Sequence, residues 1–373
     1  MRVFKLGGGQ IQESADLPEA VPDNGFVWVA CGRRELEVEL EALQQFLLRS
    51  CGTTLLEPHV ADLLNGHLPS TFDYTSEYDV LVFRRLAASD GDTDQVLAPR
   101  DPSELQRRGG PPVLRRIDTS PVGFAVFDRV LISVHPAGSA VLNQYANRLL
   151  NAANHPTRGN INQIPTSPAD LMLRLVNLMV DGYLELRREL TKQLDHWQSE
   201  LLKANSRFNN WKSLLDARII LHQLIEIGED QRAAVQDWIE SLAGWEVVEG
   251  HSEHFGGHRG LELLKVRSRD VLEHIERVIH HVHRLEQSAE TAVQMHFSAQ
   301  SNRTNDIMRT LTSITAIFLP LNLIAAVFGM NFDFLPWIHQ PEGFWWALAI
   351  MGMISLMLGG LFWRKRLLAR TGR

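Results

Sequence analysis

The sequence predicts an α+β chain with a membrane end: a mixed α/β domain, then long helices, then two transmembrane helices. Three observations carry that expectation. Short β-branched and aromatic runs alternate with helical patterns up to about residue 160. From Pro168 the Leu, Arg and Glu spacing turns helical, and no Gly or Pro falls between Gly260 and Pro320. Two uncharged runs of 20 residues, 311–330 and 344–363, lie near the end.

In the first region, residues 26–31 and 79–83 read as strands. Residues 122–134 place Asp128-Arg129 between GFAVF and VLISV and read as a hairpin. Residues 35–49 and 59–65 read as helices, and 87–112, with its Asp, Gly and Pro, as a long mobile loop or insertion. The expected α/β domain covers 1–165, with 162–168 as linker and Ser167-Pro168 as a helix start.

A helical stalk is expected over 166–310: helices within 171–242, a hinge at 244–260, then one long helix. Leu264, Val271, Val278, Leu285, Ala292 and Ala299 recur every seven residues. Ile275, Val282 and Ala289 follow four after three of them, which makes an a/d seam. The helix should run unbroken into the first span, for roughly 90–100 Å at 1.5 Å per residue. The small later seam residues suit the approach of equivalent helices around an axis.

The transmembrane domain is expected at 311–363. Each run matches the ~20 residues that cross a ~30 Å hydrocarbon layer. Trp345, Trp346 and Trp363 sit at the ends of the second run, where indoles favour the interface. Arg303 and Arg309 precede the first span, and Arg364, Lys365, Arg366 and Arg370 follow the second, in a basic tail of 364–373. The loop 331–343 has no Lys or Arg and carries Asp333 and Glu342. The positive-inside rule therefore puts both termini in the cytoplasm and this loop outside.

Composition narrows the function classes. The chain has 373 residues, 45% hydrophobic and 22% charged, with a net charge of −7 and no basic aromatic patch, so no nucleic-acid partner is expected. Cys31 and Cys51 lack CxxC spacing and indicate neither a disulfide framework nor a thiolate zinc site. The start, MRVFKLGGGQIQES, lacks an apolar core, so no cleaved signal peptide is expected. No GxxxxGK[ST] stretch or catalytic constellation is present, and the chain is not expected to be an enzyme or to need a catalytic cofactor.

Two spans cannot enclose a water path, so a transport function requires several copies around an axis in the lipid. One face of the first span offers the lining. Asn305, Met308, Leu311 or Thr312, Thr315, Leu319, Asn322 and Ala326 recur every three or four residues. Polar rings would alternate with apolar ones that gate by dewetting. Pro320 should kink the helix, and the Asn322 amide needs water or another polar group in hydrocarbon.

Residues 300–336, QSNRTNDIMRTLTSITAIFLPLNLIAAVFGMNFDFLP, closely resemble the CorA family of divalent-cation channels. The Gly329-Met330-Asn331 triplet is that family's mark. The SNRTN run, the FLP of 318–320 and the two spans with a basic tail also match. The resemblance implies a homopentameric funnel in the plasma (inner) membrane, with the first span lining the pore. It implies Mg²⁺ as cargo, with Co²⁺ or Ni²⁺ beside it, and Gly329, Met330 and Asn331 as the selectivity filter. Asn305, Met308, Leu311, Thr315, Leu319, Asn322 and Ala326 fall on its pore positions. Its acidic sensors between subunits would be Asp62, in ADLLN, and Asp270, in RDVLEH.

This sequence departs from the family pattern at four places. Asn322 stands for the commoner Thr and Ala326 for a common Gly. Ala61 stands where a second sensor carboxylate often sits, and the loop reads LPWIHQ after Asp333.

The chemistry suits that function. Mg²⁺ dehydrates reluctantly, and a ring of Asn331 oxygens can accept hydrogen bonds from its bound waters. Asp333 and Glu342, repeated around the mouth, would concentrate cations. A membrane potential supplies about 4.6 kcal/mol per 100 mV to a divalent ion, roughly three decades of accumulation without ATP.

Fifteen histidines raise zinc as the competing cargo. His251, His254 and His258, or Glu276 with His280 and His283, have ligand chemistry and spacing. A ZntB-type transporter, moving Zn²⁺ with protons, is the alternative on the same fold. A membrane-anchored metal sensor that conducts nothing is the second.

Overall fold

The computed structural model describes residues 1–8, 10–22, 24–88, 117–154, 164–202, 211–244, 257–330 and 341–364. It divides into two units, Met1–Thr291 and Ala292–Arg373.

The first unit is built on a seven-stranded sheet of order β2-β1-β3-β9-β8-β5-β4. Its strands are β1 (Arg2–Gly7), β2 (Gln10–Ser14), β3 (Gly25–Gly32), β4 (Thr71–Tyr74), β5 (Tyr78–Arg84), β8 (Pro121–Phe127) and β9 (Val130–His135). Two short strands, β6 (Ala87–Ala88) and β7 (Ile117–Asp118), pair separately. Only β3 with β9 is parallel, Val27 opposite Val130 through Gly32 opposite His135; the other pairs are antiparallel. The sequence marked β3, β5 and the β8–β9 hairpin correctly, because central strands buried on both faces read as nearly continuous apolar runs. Most of the expected loop at 87–112 lies outside the described residues, apart from β6.

Alternate side chains go to opposite faces of the sheet. Phe26, Trp28 and Ala30 enter one core with Leu81, Phe124 and Leu131. Val27, Val29 and Cys31 enter the other with Val80, Phe127 and Ile132. The second core is covered by α1 (Arg33–Cys51) and α2 (Glu57–Leu64) through Leu36, Leu43, Phe46, Leu47, Val60 and Leu63. A Cβ at Gly123 would stand 2.5 Å from Leu63 Cδ2, so the bare backbone of β8 lets α2 lie close on the sheet.

The first core is covered by α3 (Ala140–Asn154), α4 (Pro168–Leu202), α5 (Trp211–Gly244) and α6 (Gly257–Phe328). Pro168 opens α4, and Ser167 Oγ accepts the Asp170 N–H at 3.2 Å as its cap. Seam residues Leu264, Val271, Ile275, Val278, Val282, Leu285 and Ala289 are buried with Leu186 and Leu190 of α4 and Leu221 and Leu224 of α5. Here the seam is filled by the chain's own helices. Ala289 is thus unavailable for the expected contact between copies, whereas Ala299 is exposed. Gly228 brings α5 close to α6, since a Cβ there would stand 2.7 Å from Ile279 Cγ1. Trp238 Nε1 donates to Ser268 Oγ at 3.0 Å across the same pair.

One carboxyl sits badly in this unit. Asp79 on β5 is buried, and burial, with the nearby Asp128 charge, pushes its pKa from 3.8 up to about 7. The folded state therefore binds a proton that the unfolded chain has released between about pH 4 and 7. Stability falls as pH rises through that window. Asp79→Asn should raise the melting temperature at pH 8, by on the order of 3 kcal/mol in stability, and have little effect at pH 4. Equal shifts at the two pH values in thermal melts would refute this.

The second unit holds the C-terminal part of α6 and α7 (Pro341–Arg364). Both helices are long and apolar enough to cross a membrane. α6 continues through Pro320. Most of the expected hinge at 244–260 and the tail after Arg364 lie outside the described residues.

Candidate functional site

The C-terminal part of α6 presents its side chains outward. Met308, Leu311 and Leu319 are 55%, 56% and 68% exposed, and Asn305, Thr315, Asn322 and Ala326 are exposed too. At about 100° per residue these positions fall within about 60° of one line along the helix. From Met308 to Ala326 the line climbs roughly 27 Å, close to the thickness of a hydrocarbon core.

The polar groups on this line differ in their needs. Thr312 Oγ1 donates to the Met308 carbonyl at 2.7 Å and Thr315 Oγ1 to the Leu311 carbonyl at 2.9 Å. Ser313, buried, donates to the Arg309 carbonyl at 2.8 Å. A threonine whose proton is committed to its own helix shows only lone pairs outward. That is an acceptor, the complement of the water shell of a cation, whose hydrogens point away from the ion. Sequence spacing gave Thr315 a place on the line; only the backbone bond gives it a polarity. Pro320 removes the N–H that would bond the Ala316 carbonyl, which adds another acceptor in this turn.

At the end of α6 the hydrogen bonding tightens. Gly329 N–H donates to Ala325 O at 2.9 Å and Ala326 O at 3.2 Å, and Met330 N–H to Val327 O at 3.3 Å. A Cβ at Gly329 would stand 3.2 Å from the Ala325 oxygen, so any larger residue crowds this exit. The negative end of the helix dipole falls here, which favours a cation. Met330 is 47% exposed. Asn331 and Asp333 lie outside the described residues. Glu342, exposed, occupies the first turn of α7 and complements its positive end.

The sensor candidates lie in the first unit. Asp62 is half-buried on α2, next to Leu63, which packs over Gly123. The same helix is tied by His59, whose Nδ1 meets Tyr78 Oη at 2.9 Å and whose Nε2 meets Asp73 Oδ2 at 3.2 Å. Asp270 is exposed on α6, and its neighbour Val271 enters the core on the opposite face of the sheet from α2. The fold does not bring Asp62 and Asp270 together within one chain. Asp270 has a different companion: His274 lies 3.8 Å from Asp270 Oδ1 and 3.8 Å from Asp181 Oδ1. No periodicity points to Asp181, which sits almost ninety positions earlier and meets Asp270 only through the packing of α4 on α6.

His280 and His283 are both exposed on α6. His283 Nδ1 is 3.8 Å from Glu286, which also lies 3.6 Å from His222 of α5. His251 and His254, and the side chain of His258, lie outside the described residues. Among the described residues, no group of three or more His, Cys, Asp or Glu is arranged to hold a metal ion.

A family model described as CorA-like Mg²⁺ transporter protein matches residues 23–366. A cobalt/magnesium transport protein CorA of Thermotoga maritima is 26% identical over 202 residues, 52% of this chain and 52% of that one. A putative metal ion transporter of Bacillus subtilis, YfjQ, is 49% identical over 63 residues, 17% of this chain and 19% of that one. The match thus spans about half the length of the first relative and about a fifth of the second. The complete structure of the CorA magnesium transporter from Methanocaldococcus jannaschii superposes with a TM-score of 0.71 at 14% identity. It covers 100% of this chain and 98% of that one, a likeness of fold.

Proposed function

This chain belongs to the family of CorA-like Mg²⁺ transporters, which are ion transporters and not enzymes, and from that premise we propose that it is a potential-driven Mg²⁺ channel. Co²⁺ and Ni²⁺ are further cargo of the same hydrated size class. The observation that carries the proposal is the uncovered line on α6, in which acceptors alternate with apolar side chains over about the depth of a bilayer.

One chain supplies one wall. Five copies around an axis in the plasma membrane, with both termini in the cytoplasm, would close the line into rings. Met308, Leu311 and Leu319 then form apolar constrictions, and Asn305, Thr315 and Asn322 form acceptor rings. Asn331 forms the outer filter with Gly329 and Met330, and Asp333 and Glu342 set the field at the mouth. Asp62 of one copy and Asp270 of its neighbour would share a regulatory Mg²⁺, which agrees with their separation within a single chain.

The test is flux into liposomes under an imposed inside-negative potential, with Mg²⁺ and Zn²⁺ dyes in parallel vesicles. Voltage-driven Mg²⁺ entry is the expected result. Zn²⁺ entry that follows a pH gradient while Mg²⁺ is excluded would replace the proposal with proton-coupled zinc transport. Absence of any flux would leave a non-conducting sensor.

A further inference from the structure

Helices α5 and α6 run antiparallel inside the first unit, and three contacts hold their register. Trp238 meets Ser268, Gly228 lies against Ile279, and the Arg218 guanidinium is 3.8 Å from Glu290. Between the last two levels stand two imidazoles and two carboxylates. Glu286 of α6, half-buried, turns one oxygen to each imidazole. Its Oε1 is 3.6 Å from Nδ1 of His222 on α5, and its Oε2 is 3.8 Å from Nδ1 of His283. The other nitrogen of His222, Nε2, is 3.8 Å from Glu226 Oε1, one turn along α5.

These separations are too long for hydrogen bonds, which close to about 2.7–3.2 Å, and exposed ion pairs at this range add little stability. They lie close to a different distance. Two ligands about 2.0–2.1 Å from a tetrahedral zinc ion stand roughly 3.4 Å from each other. As placed, the donors do not converge on one point. Both imidazoles face solvent, so rotations about their side-chain bonds are open to them.

We infer that His222, His283 and Glu286 bind a Zn²⁺-class ion that ties α5 to α6. Each imidazole offers Nδ1. Glu226 accepts the Nε2–H of His222, which fixes the tautomer whose Nδ1 lone pair is free for the metal. Two imidazole nitrogens with one carboxylate leave a fourth position for water and favour zinc, cobalt or nickel. Mg²⁺ prefers six oxygens and keeps several waters, so it competes poorly here. Sequence spacing paired His283 with His280 on one helix. The packing pairs it instead with Glu286 and, through that carboxylate, with His222 of another. The inference does not depend on ion conduction, and binding tests it directly.

The experiment is calorimetric titration of Zn²⁺ into the untagged full-length chain in detergent, stripped of metal and then held in a large excess of Mg²⁺ to fill oxygen-ligand sites. The expected result is one Zn²⁺ per chain that Mg²⁺ does not displace, with a higher melting temperature when it is bound. His222→Gln and His283→Gln should each weaken that binding at least about tenfold. His280→Gln should leave it unchanged. All three imidazoles are exposed, so the variants should fold, and matched melting temperatures without Zn²⁺ check that. Absence of Zn²⁺ binding, equal affinity in the His222 and His283 variants and the parent chain, or displacement by Mg²⁺ would overturn the inference. So would a loss in His280→Gln that His222→Gln does not share, which would assign the ion to α6 alone.

Discussion

Asn331→Ala is expected to reduce voltage-driven Mg²⁺ entry by at least about a hundredfold, a loss of roughly 2.7 kcal/mol in transition-state stabilisation. The reason lies in what the ion presents. Mg²⁺ keeps its octahedral waters, and their hydrogens face outward. In the proposed pentamer a ring of Asn331 amide oxygens would accept several of those hydrogens at once, each worth about 1.5–3 kcal/mol because the donor is polarised by a charge. Methyl groups accept none. The helix end at Phe328 and the Gly329–Met330 turn carry the negative pole of α6 toward this position, but a dipole alone has no ring of acceptors. The measurement is dye-reported flux in liposomes, with protein content matched. Flux that survives the substitution would move the filter inward, to Asn322 or to the Thr315 acceptors.

Trp28→Ala is expected to destabilise the first unit by about 3–5 kcal/mol, the usual range for a buried aromatic truncated to alanine. Trp28 is fully buried in the centre of β3. Its ring stacks on Phe4 at 4.6 Å and meets Tyr145 edge-on at 6.0 Å. Its Nε1 donates to Ser133 Oγ at 2.8 Å, and that hydroxyl also meets His135 Nε2 at 2.9 Å. Removing the indole opens a cavity and strips a partner from a dry polar pair. Burial, with Arg85 and Arg33 nearby, lowers the His135 pKa to about 3, so this imidazole cannot compensate by taking a proton at ordinary pH. Trp28→Phe keeps most of the volume and should cost less than Trp28→Ala in chemical denaturation. Similar losses for both would assign the effect to the hydrogen bond rather than to packing.

The legible parts of the fold are those whose signal is carried by neighbours in sequence. The central strands β3, β5, β8 and β9 are dense in apolar residues because both faces of the sheet are covered, with Asp79 on β5 and Ser133 and His135 on β9 as buried polar exceptions. Edge and amphipathic pieces were harder. Strand β2, QIQES, is largely exposed and polar, so the hairpin it makes with β1 leaves little hydrophobic pattern. Helix α3 is rich in Asn, which hides the buried Tyr145, Leu149 and Ala152 stripe that packs it against the sheet.

Of the candidate site, the spans, their charge asymmetry and the line of residues from Asn305 to Ala326 were determined by the sequence. Hydrophobic length, Lys/Arg bias and helical period are all local properties, readable without knowing what lies alongside. Tertiary structure decided the rest. It assigned the seam of α6 as far as Ala289 to α4 and α5, set Asp62 and Asp270 on opposite faces of one sheet, and brought Asp181 beside His274. It also joined three arginines from three helices around Tyr145. Those facts depend on which face of the sheet each helix covers. Chain-distant elements settle that by burying apolar surface together, and no spacing within one segment records it.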